Sequence, residues 1–365
     1  MSGVRHLYVH LPFCEHRCGY CAFVVEVGSL DRRDRYVDAL LGEVRRESAR
    51  LGRLSTVYLG GGTPSLMEPR RVARLLDGIA DRFAPDVEIS MEANPETVDA
   101  GSLRAFRDAG VNRLSMGAQS FQAHLLAALD RRAGADRVRA AVDDARAAGF
   151  DNLSLDLLFG VPGQTPDDLG RDLAAVREIA PEHISWYELE VKPGSALARA
   201  GAVVDEDFAE DAYLRIVEEL EAQGYRWYET ANFARPGRES RHNCAYWGAA
   251  DYLGVGIGAV STVGAERWRN APDLDGYVAA VAEGRPPRRT TEDLPEDTRR
   301  RERWMLAFRL SEPVSLSWAG PPDHPEAVGD LVDGGFLRRL DDDRLALTRE
   351  GRFVQNSVLG RLIDF

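Results

Sequence analysis

Three of the four cysteines in the chain fall within one short stretch, HLPFCEHRCGYCAF, at His10–Phe23. Cys14, Cys18 and Cys21 follow the spacing C-x3-C-x2-C. Thiolates this close in sequence can all reach one iron–sulfur cubane. Structural zinc sites use four ligands, usually as two spaced pairs, and an ordinary [4Fe–4S] cluster also takes four cysteines. Three thiolates leave one iron open, and an open iron can bind a small molecule through nitrogen and oxygen. Cys244 is the remaining thiol, over two hundred residues further on. It could close the cluster, but an isolated cysteine is more commonly a small buried apolar residue. Two disulfides are the other arithmetic possibility. Crowded cysteines in a long chain without a secretory signal read instead as metal binding or redox chemistry.

Further residues with chemical capacity punctuate the chain. GGGTPS (Gly60–Ser65) contains Gly61, Gly62 and Thr63, where missing side chains let backbone approach a ligand closely. EANPE (Glu92–Glu96) offers the carboxylate Glu92, and GAQSF (Gly117–Phe121) offers Gln119, with Arg131 twelve residues later. LSLDLLFGVPGQT contributes Asp156, and RHNCAYW contains His242, Asn243, Tyr246 and Trp247. Each has a plain structural reading as well: a turn, a helix cap, or core aromatics.

These residues need a scaffold, and the first two-thirds of the chain alternates strand and helix. Strand-type runs occur at Leu7–Leu11, Thr56–Gly62, 87–95, 111–120, 151–160 and 183–191. Between and after them, helical spacing covers 36–51, 72–83, 102–109, 137–148, 167–179 and 207–223. Strands separated this regularly by helices imply parallel pairing. The chemical residues sit near the C-terminal ends of nearly all of them. A barrel brings such ends onto one face, whereas a doubly wound sheet gathers only those at its switch point. The expected fold is therefore α/β, a partial (β/α)6 barrel. Asn232–Ser261 reads as loop-rich and Gly284–Pro295 as a linker. Helices over 298–310 and 326–333, then a hairpin at 336–348, give a small helical, winged-helix-like C-terminal unit. Such units often bind DNA, but fold alone does not give function.

The 365 residues carry a formal net charge of −13, which argues against a nucleic-acid partner. Lys192 is the only lysine. No apolar run of membrane-spanning length occurs, and the first residues lack the features of a secretory signal, so a cytoplasmic location is expected.

C-x3-C-x2-C after the first strand of a parallel α/β repeat resembles the radical S-adenosylmethionine (SAM) superfamily. The full set, YVHLPFC, GGGTPS, EANPE, GAQSF, LDLLFGVPGQT and RHNCAYW, is similar to the branch that holds oxygen-independent coproporphyrinogen III oxidase and heme chaperones. The resemblance covers nearly the whole chain. It implies a [4Fe–4S] cluster on Cys14, Cys18 and Cys21, whose open iron takes the amino and carboxylate groups of SAM. A reduced cluster of this kind splits SAM to a 5′-deoxyadenosyl radical. Tyr8, Tyr20, Gly61, Gly62, Thr63, Glu92, Gln119, Arg131 and Asp156 would line the SAM pocket. It divides the chain into a barrel core at 1–230, a connecting segment at 231–290 and a C-terminal domain at 291–365. The oxidase has a further cysteine two residues after the third and a longer N-terminal arm. Here Phe23 stands at that position, and seven residues precede Tyr8. The chaperones carry H-N-x-x-Y-W, associated with heme, matched by His242, Asn243, Tyr246 and Trp247. Implied partners are heme and an acceptor hemoprotein, with peripheral membrane association through a respiratory acceptor. The alternatives are a radical SAM oxidoreductase or methyltransferase acting on a porphyrin or other large substrate, and a zinc or redox-sensing protein. Two positions depart from the branch: Ala22 replaces its usual Asp, and Val260 its frequent His after GIGA.

Overall fold

A computed structural model describes residues 3–28 and 30–364. Six parallel strands form its centre: β1 (Val4–Leu11), β2 (Leu51–Gly61), β3 (Phe83–Ala93), β4 (Arg113–Gln119), β5 (Leu153–Phe159) and β6 (His183–Glu188). They pair in sequence order. Helices at Arg33–Arg46, Pro69–Asp77, Ala100–Asp108, Ala135–Ala147 and Pro166–Ile179 join them, and Glu206–Ala222 follows β6. Antiparallel strands β7 (Arg226–Glu229) and β8 (Asn232–Ala234) extend one edge, and β9 (Leu253–Val255) pairs parallel to β1 at the other. The result is the expected partial barrel, lengthened at both edges.

The helix boundaries follow local chemistry. Thr165 and Asp168 form a capping box around Pro166, which starts the helix where its missing N–H costs nothing. Val37, Leu40, Leu41 and Val44 all turn inward, as their spacing predicts. Two helices are shorter than expected. The first ends at Arg46, because Leu51 is already paired to Val4 as the start of β2. The second stops at Gly78, where a Cβ would lie 2.5 Å from Leu41.

Two regions depart from the reading of loop and linker, and a terminal helix is added to the expected elements. Asn232–Ser261 holds β8, a helix at Arg241–Trp247 capped by Ser240, and β9. Its short elements carry too few residues to show a period. Gly284–Pro295 contains a strand, Arg289–Asp293, paired antiparallel to Glu266–Asn270. That strand is largely exposed and polar, so no apolar alternation marks it; Arg289 anchors it by bonding Glu47 at 2.9 Å and stacking over Trp268. The chain also ends in a helix, Gln355–Leu362, whose Val358, Leu359 and Leu362 join a second apolar cluster with Trp304, Phe308 and Leu345. The expected hairpin is present, with Leu337 opposite Leu347. No helix among the described residues is long and apolar enough to cross a membrane.

A buried carboxylate locks the first helix to the segment after β9. Glu43 accepts hydrogen bonds from Tyr277 (2.7 Å), Asn270 (2.8 Å) and the Gly256 N–H (2.9 Å). Removing it strands three buried donors, each costing about 1–3 kcal/mol. We expect Glu43→Ala to destabilise the protein by about 3 kcal/mol or more, read by urea unfolding, whereas Glu43→Gln, which keeps an acceptor, loses less.

Candidate functional site

A cavity of about 420 Å³ opens at the C-terminal ends of the strands and runs down into the barrel. Cys14, Cys18, Cys21, Tyr20, Gly61, Gly62, Thr63, Glu92, Gln119, Arg131 and Asp156 all line it, and so does Asn243. Residues from the cysteine loop, from β2 to β5 and from the loops after them therefore meet in one place.

The cysteine loop is held by backbone. Gly62 N–H donates to the Leu11 carbonyl and Thr63 N–H to that of Phe13, each at 2.9 Å. Phe13–Cys14 pairs with Glu26–Val27 behind it. A Cβ on Gly62 would stand 2.5 Å from the Pro12 carbonyl oxygen, and one on Gly61, whose φ is +120°, 2.6 Å from His10. These glycines bring the turn against the cysteine loop, a closer constraint than a plain turn needs. A ring of side-chain contacts then joins two cysteines. Cys14 Sγ lies 3.5 Å from Thr63 Oγ1, Asn94 Nδ2 donates to Thr63 Oγ1 at 3.3 Å, Arg131 donates to Asn94 Oδ1 at 3.1 Å, and Arg131 Nη1 reaches Cys18 Sγ at 3.7 Å. Asn94 belongs to EANPE, yet sequence alone pointed to Glu92 there. An asparagine before proline reads as a turn residue, and its bridging role has no local signal.

Among the described residues, no three His, Cys, Asp or Glu side chains converge closely enough to hold a single metal ion. A zinc ion needs its sulfur ligands about 2.3 Å from one point. A cubane spreads its thiolates over separate corners, and the three cysteines stand around one cavity mouth, an arrangement that could hold one. Cys244 lies elsewhere, on the helix at Arg241–Trp247, outside the cavity wall. Burial pushes its thiol up to about 12, and burial also raises Cys14 and Cys21.

Glu92 accepts from the Gly61 N–H and from Tyr58 OH, both at 3.0 Å. Burial, reinforced by the charge of Asp156, pushes its carboxyl up to about 7 despite those bonds. Asp156, expected at a strand end, stands mid-strand in β5, opposite Gly117 and Ser185. It takes both oxygens' bonds from Ser115 Oγ at 2.9 Å, and burial raises it too. Gln119 closes β4 with φ of +64°, a left-handed conformation uncommon for its type, at a register shift in the pairing to β5. Fully buried Asp172 fixes the turn after it, accepting from Ser120 Oγ (2.8 Å), Phe121 N–H (2.9 Å) and Gln122 Nε2 (2.8 Å). Sequence reading passed over Asp172 as one more polar residue on a helix.

Four expected site residues lie outside this cavity wall. Tyr8 stacks on Tyr58, its hydroxyl 3.0 Å from His10 Nδ1. His242 is buried at the N-terminal end of the barrel, its Nδ1 2.7 Å from Thr56 Oγ1 and its ring stacked on Tyr58 at 5.1 Å. Burial, with the nearby His6 and Arg113, drives it down to about 3, so the imidazole is neutral; its Nε2 has no protein partner. Tyr246 and Trp247 line a second cleft of about 320 Å³, with Tyr252, Arg267, Glu302 and Trp318. The motif is thus divided: Asn243 faces the barrel cavity, His242 is enclosed, and the two aromatics face the cleft. Of the departures, Ala22 lines the cavity mouth, and Val260 begins the strand Val260–Val263.

Residues 8–176 match the Radical SAM superfamily. The chain is 38% identical over 370 residues to the heme chaperone HemW of Mycobacterium tuberculosis, covering 98% of this chain and 94% of that protein. HemW of Escherichia coli is 35% identical, with 97% and 96% covered, and HemW of Bacillus subtilis 32%, with 99% of each. The fold matches coproporphyrinogen III oxidase (HemN) from Escherichia coli with a TM-score of 0.85 and 24% identity, over 99% of this chain and 90% of that one. A parallel partial barrel with three cysteines at its mouth defines a radical SAM class of protein. The chain belongs to the radical SAM superfamily, in the branch that contains HemW and HemN.

The raised Glu92 gives a pH test. Its folded-state value lies above the ordinary 4.5, so its favourable contribution is complete below that value and is lost as pH rises through about 7. In cluster-free protein, Glu92→Gln should raise stability by about 1–3 kcal/mol at about pH 8 and leave it nearly unchanged at about pH 4, measured by urea unfolding at both.

Proposed function

We propose that this chain is a HemW-type heme chaperone that carries a [4Fe–4S] cluster and SAM, and passes heme to an acceptor hemoprotein. The observation that carries the reading is its 32–38% identity to three HemW proteins along nearly their full lengths. Phe23 supports it, since the oxidase of the same branch has a cysteine there.

Cys14, Cys18 and Cys21 are the cluster ligands in this reading. When bound, the cluster and SAM supply one-electron cleavage of a sulfonium bond. The chain's own residues position SAM. Glu92, held by Gly61 and Tyr58, would accept a hydrogen bond from its amino group. Arg131, fixed by Asn94 and by the Gly117 carbonyl at 2.9 Å, offers a charge beside Cys18. That guanidinium, 3.7 Å from Cys18 Sγ, would favour the more negative, reduced form of a bound cluster. Tyr20, Gln119 and Asp156 complete the wall. The cleft beside Tyr246 and Trp247 offers flat aromatic faces to a porphyrin. His242 is neutral, the form that ligates iron, but heme can reach its Nε2 only if the helix at Arg241–Trp247 shifts. A respiratory hemoprotein at the membrane is the acceptor this reading favours.

A second reading, a radical SAM enzyme acting on a porphyrin, draws on the depth of the cavity, which extends to Arg113 and Asn243 well below the cysteine loop.

Anaerobic reconstitution with iron and sulfide tests these readings on one sample. Cys14→Ser should lose the cluster's iron and Cys244→Ser should keep it. Heme should bind and transfer to an apo-hemoprotein without stoichiometric SAM consumption; SAM cleavage in step with porphyrin conversion would favour the enzyme. His242→Ala should alter the Soret band, and an unchanged spectrum and affinity removes His242 as the iron ligand.

A further inference from the structure

His6 on β1 and Thr56 on β2 are register partners, and Glu88 on β3 is the next in the same row. Glu88 accepts the His242 N–H at 3.1 Å, which brings the His242 ring to Thr56. The fully buried Thr56 hydroxyl then lies between two imidazoles, 2.9 Å from His6 Nδ1 and 2.7 Å from His242 Nδ1. A hydroxyl carries one proton. It can donate to one ring only, so at least one ring must bring a proton on its own Nδ1.

The two rings differ in what their second nitrogen meets. His242 is 1% exposed, and its Nε2 has no hydrogen-bond partner among the described residues. A proton on that nitrogen would be a stranded buried donor, a rarer defect in proteins than an under-used acceptor. His6 is half-buried, so solvent can serve its Nε2 in either state. Burial and the charges of Arg5 and Arg241 hold His6 below the usual imidazole range, so its ring is neutral and able to accept. The arrangement that strands no buried donor is a relay. His242 Nδ1–H donates to Thr56 Oγ1, and the Thr56 O–H donates to His6 Nδ1.

We propose that Thr56, with His6 behind it, fixes the tautomer of His242 and leaves Nε2 as a bare lone pair, a preformed electron-pair donor for a metal ion. Both are positioning residues, since neither touches the metal. The hydrogen bond made by one imidazole nitrogen decides which nitrogen the metal takes. Such a bond also raises the basicity of the ligating nitrogen, and its loss typically costs about 10–100-fold in metal affinity. The helix at Arg241–Trp247 must still shift for heme to reach the ring, but no proton has to leave Nε2 when it does. That the metal is heme iron rests on the chaperone reading above; the placement of the proton does not.

The proton can be read directly. Full-length, cluster-loaded protein is prepared with isotopically labelled histidine, and long-range proton–nitrogen NMR spectra show which nitrogen of each ring is protonated; His242→Ala assigns the ring. In heme-free wild type, His242 should carry its proton on Nδ1. Thr56→Val, which removes the hydroxyl and keeps the shape, should release it into a mixture that includes the Nε2–H form. His6→Leu, which takes away the acceptor behind Thr56, should do the same, and His6→Asn, which keeps one, should not. Hemin, titrated by its Soret band, should bind Thr56→Val about tenfold more weakly than wild type, and Thr56→Ser should restore both readouts. Iron content of each variant checks that the barrel still forms. A proton on Nε2 in wild type overturns the proposal and makes the ring a donor toward Tyr246, whose ring centroid is 4.7 Å away. So does an unchanged His242 spectrum in Thr56→Val, or a changed spectrum with unchanged hemin affinity. A wild type that shows the Nδ1 proton and its dependence on Thr56, yet takes no hemin, upholds the tautomer and overturns the chaperone reading alone.

Discussion

The contact on which the site depends is between two pieces of backbone, Gly62 against the Pro12–Phe13 peptide. There is room for a hydrogen atom and no more, since a Cβ would come within 2.5 Å of the Pro12 oxygen. Two hydrogen bonds at 2.9 Å run across the same junction. The loop after β1 and the turn after β2 therefore behave as one rigid body, with the cysteines on one side and the glycine turn on the other. Everything placed relative to Gly61, including Glu92 through its bond to that N–H, is by the same junction placed relative to the thiols. The Thr63–Asn94–Arg131 ring extends this to β3 and to the loop after β4. Ligands on an exposed loop would wander; these are aligned before any cofactor binds, which lowers the ordering cost of holding it.

The interior this junction overlooks is polar in a way a stable core is not. Glu92 and Asp156 are half-buried among hydroxyl and backbone donors, and desolvation raises both. Hydrogen bonds from neutral groups reduce that cost without cancelling it. Of the cations on the cavity wall, Arg131 is tied to Asn94, Gly117 and Cys18, whereas Arg113 has an Nε without a hydrogen-bond partner and sets its charge against Asp156. A cavity that holds charge at this density has been shaped for an occupant that carries charge of its own. A sulfonium amino acid, with ammonium and carboxylate groups, is an occupant of that kind.

Much of this was legible in the sequence because the barrel repeats a long, regular rhythm. Strand and helix each ran long enough for their periods to show, and the polar residues at strand ends stood out against apolar runs. Twelve of the sixteen expected site residues meet around one cavity. What stayed hidden had a physical reason. The strand Arg289–Asp293 is polar on its exposed faces and is held by backbone pairing and by Arg289, neither of which leaves a hydrophobic pattern. Asp172, Asn94 and Arg113 are ordinary polar residues until the fold brings them to a buried turn, a ring of contacts and a cavity floor. Asp156, expected at a strand end, lines the cavity from mid-strand, because a strand-end motif gives an element and not a layer.

The helix at Arg241–Trp247 shows why a motif can be recognised and still be misplaced. Its residues look like one binding element because they are adjacent. A helix turns about 100° per residue, so His242 and Tyr246, four apart, share a face and meet at 4.7 Å between ring centroids, while Asn243 and Trp247 lie about 100° further round. Glu88 accepts the Arg241 and His242 N–H groups at 3.1 Å, which fixes the helix start against β3. From that anchor, Asn243 enters the cavity, His242 meets Thr56, and Tyr246 and Trp247 reach the outer cleft. One short element thus forms the floor of the inner compartment and a wall of the outer one. Any ligand that displaced it to reach His242 would also withdraw Asn243 from the barrel, so the two compartments share a single mechanical part.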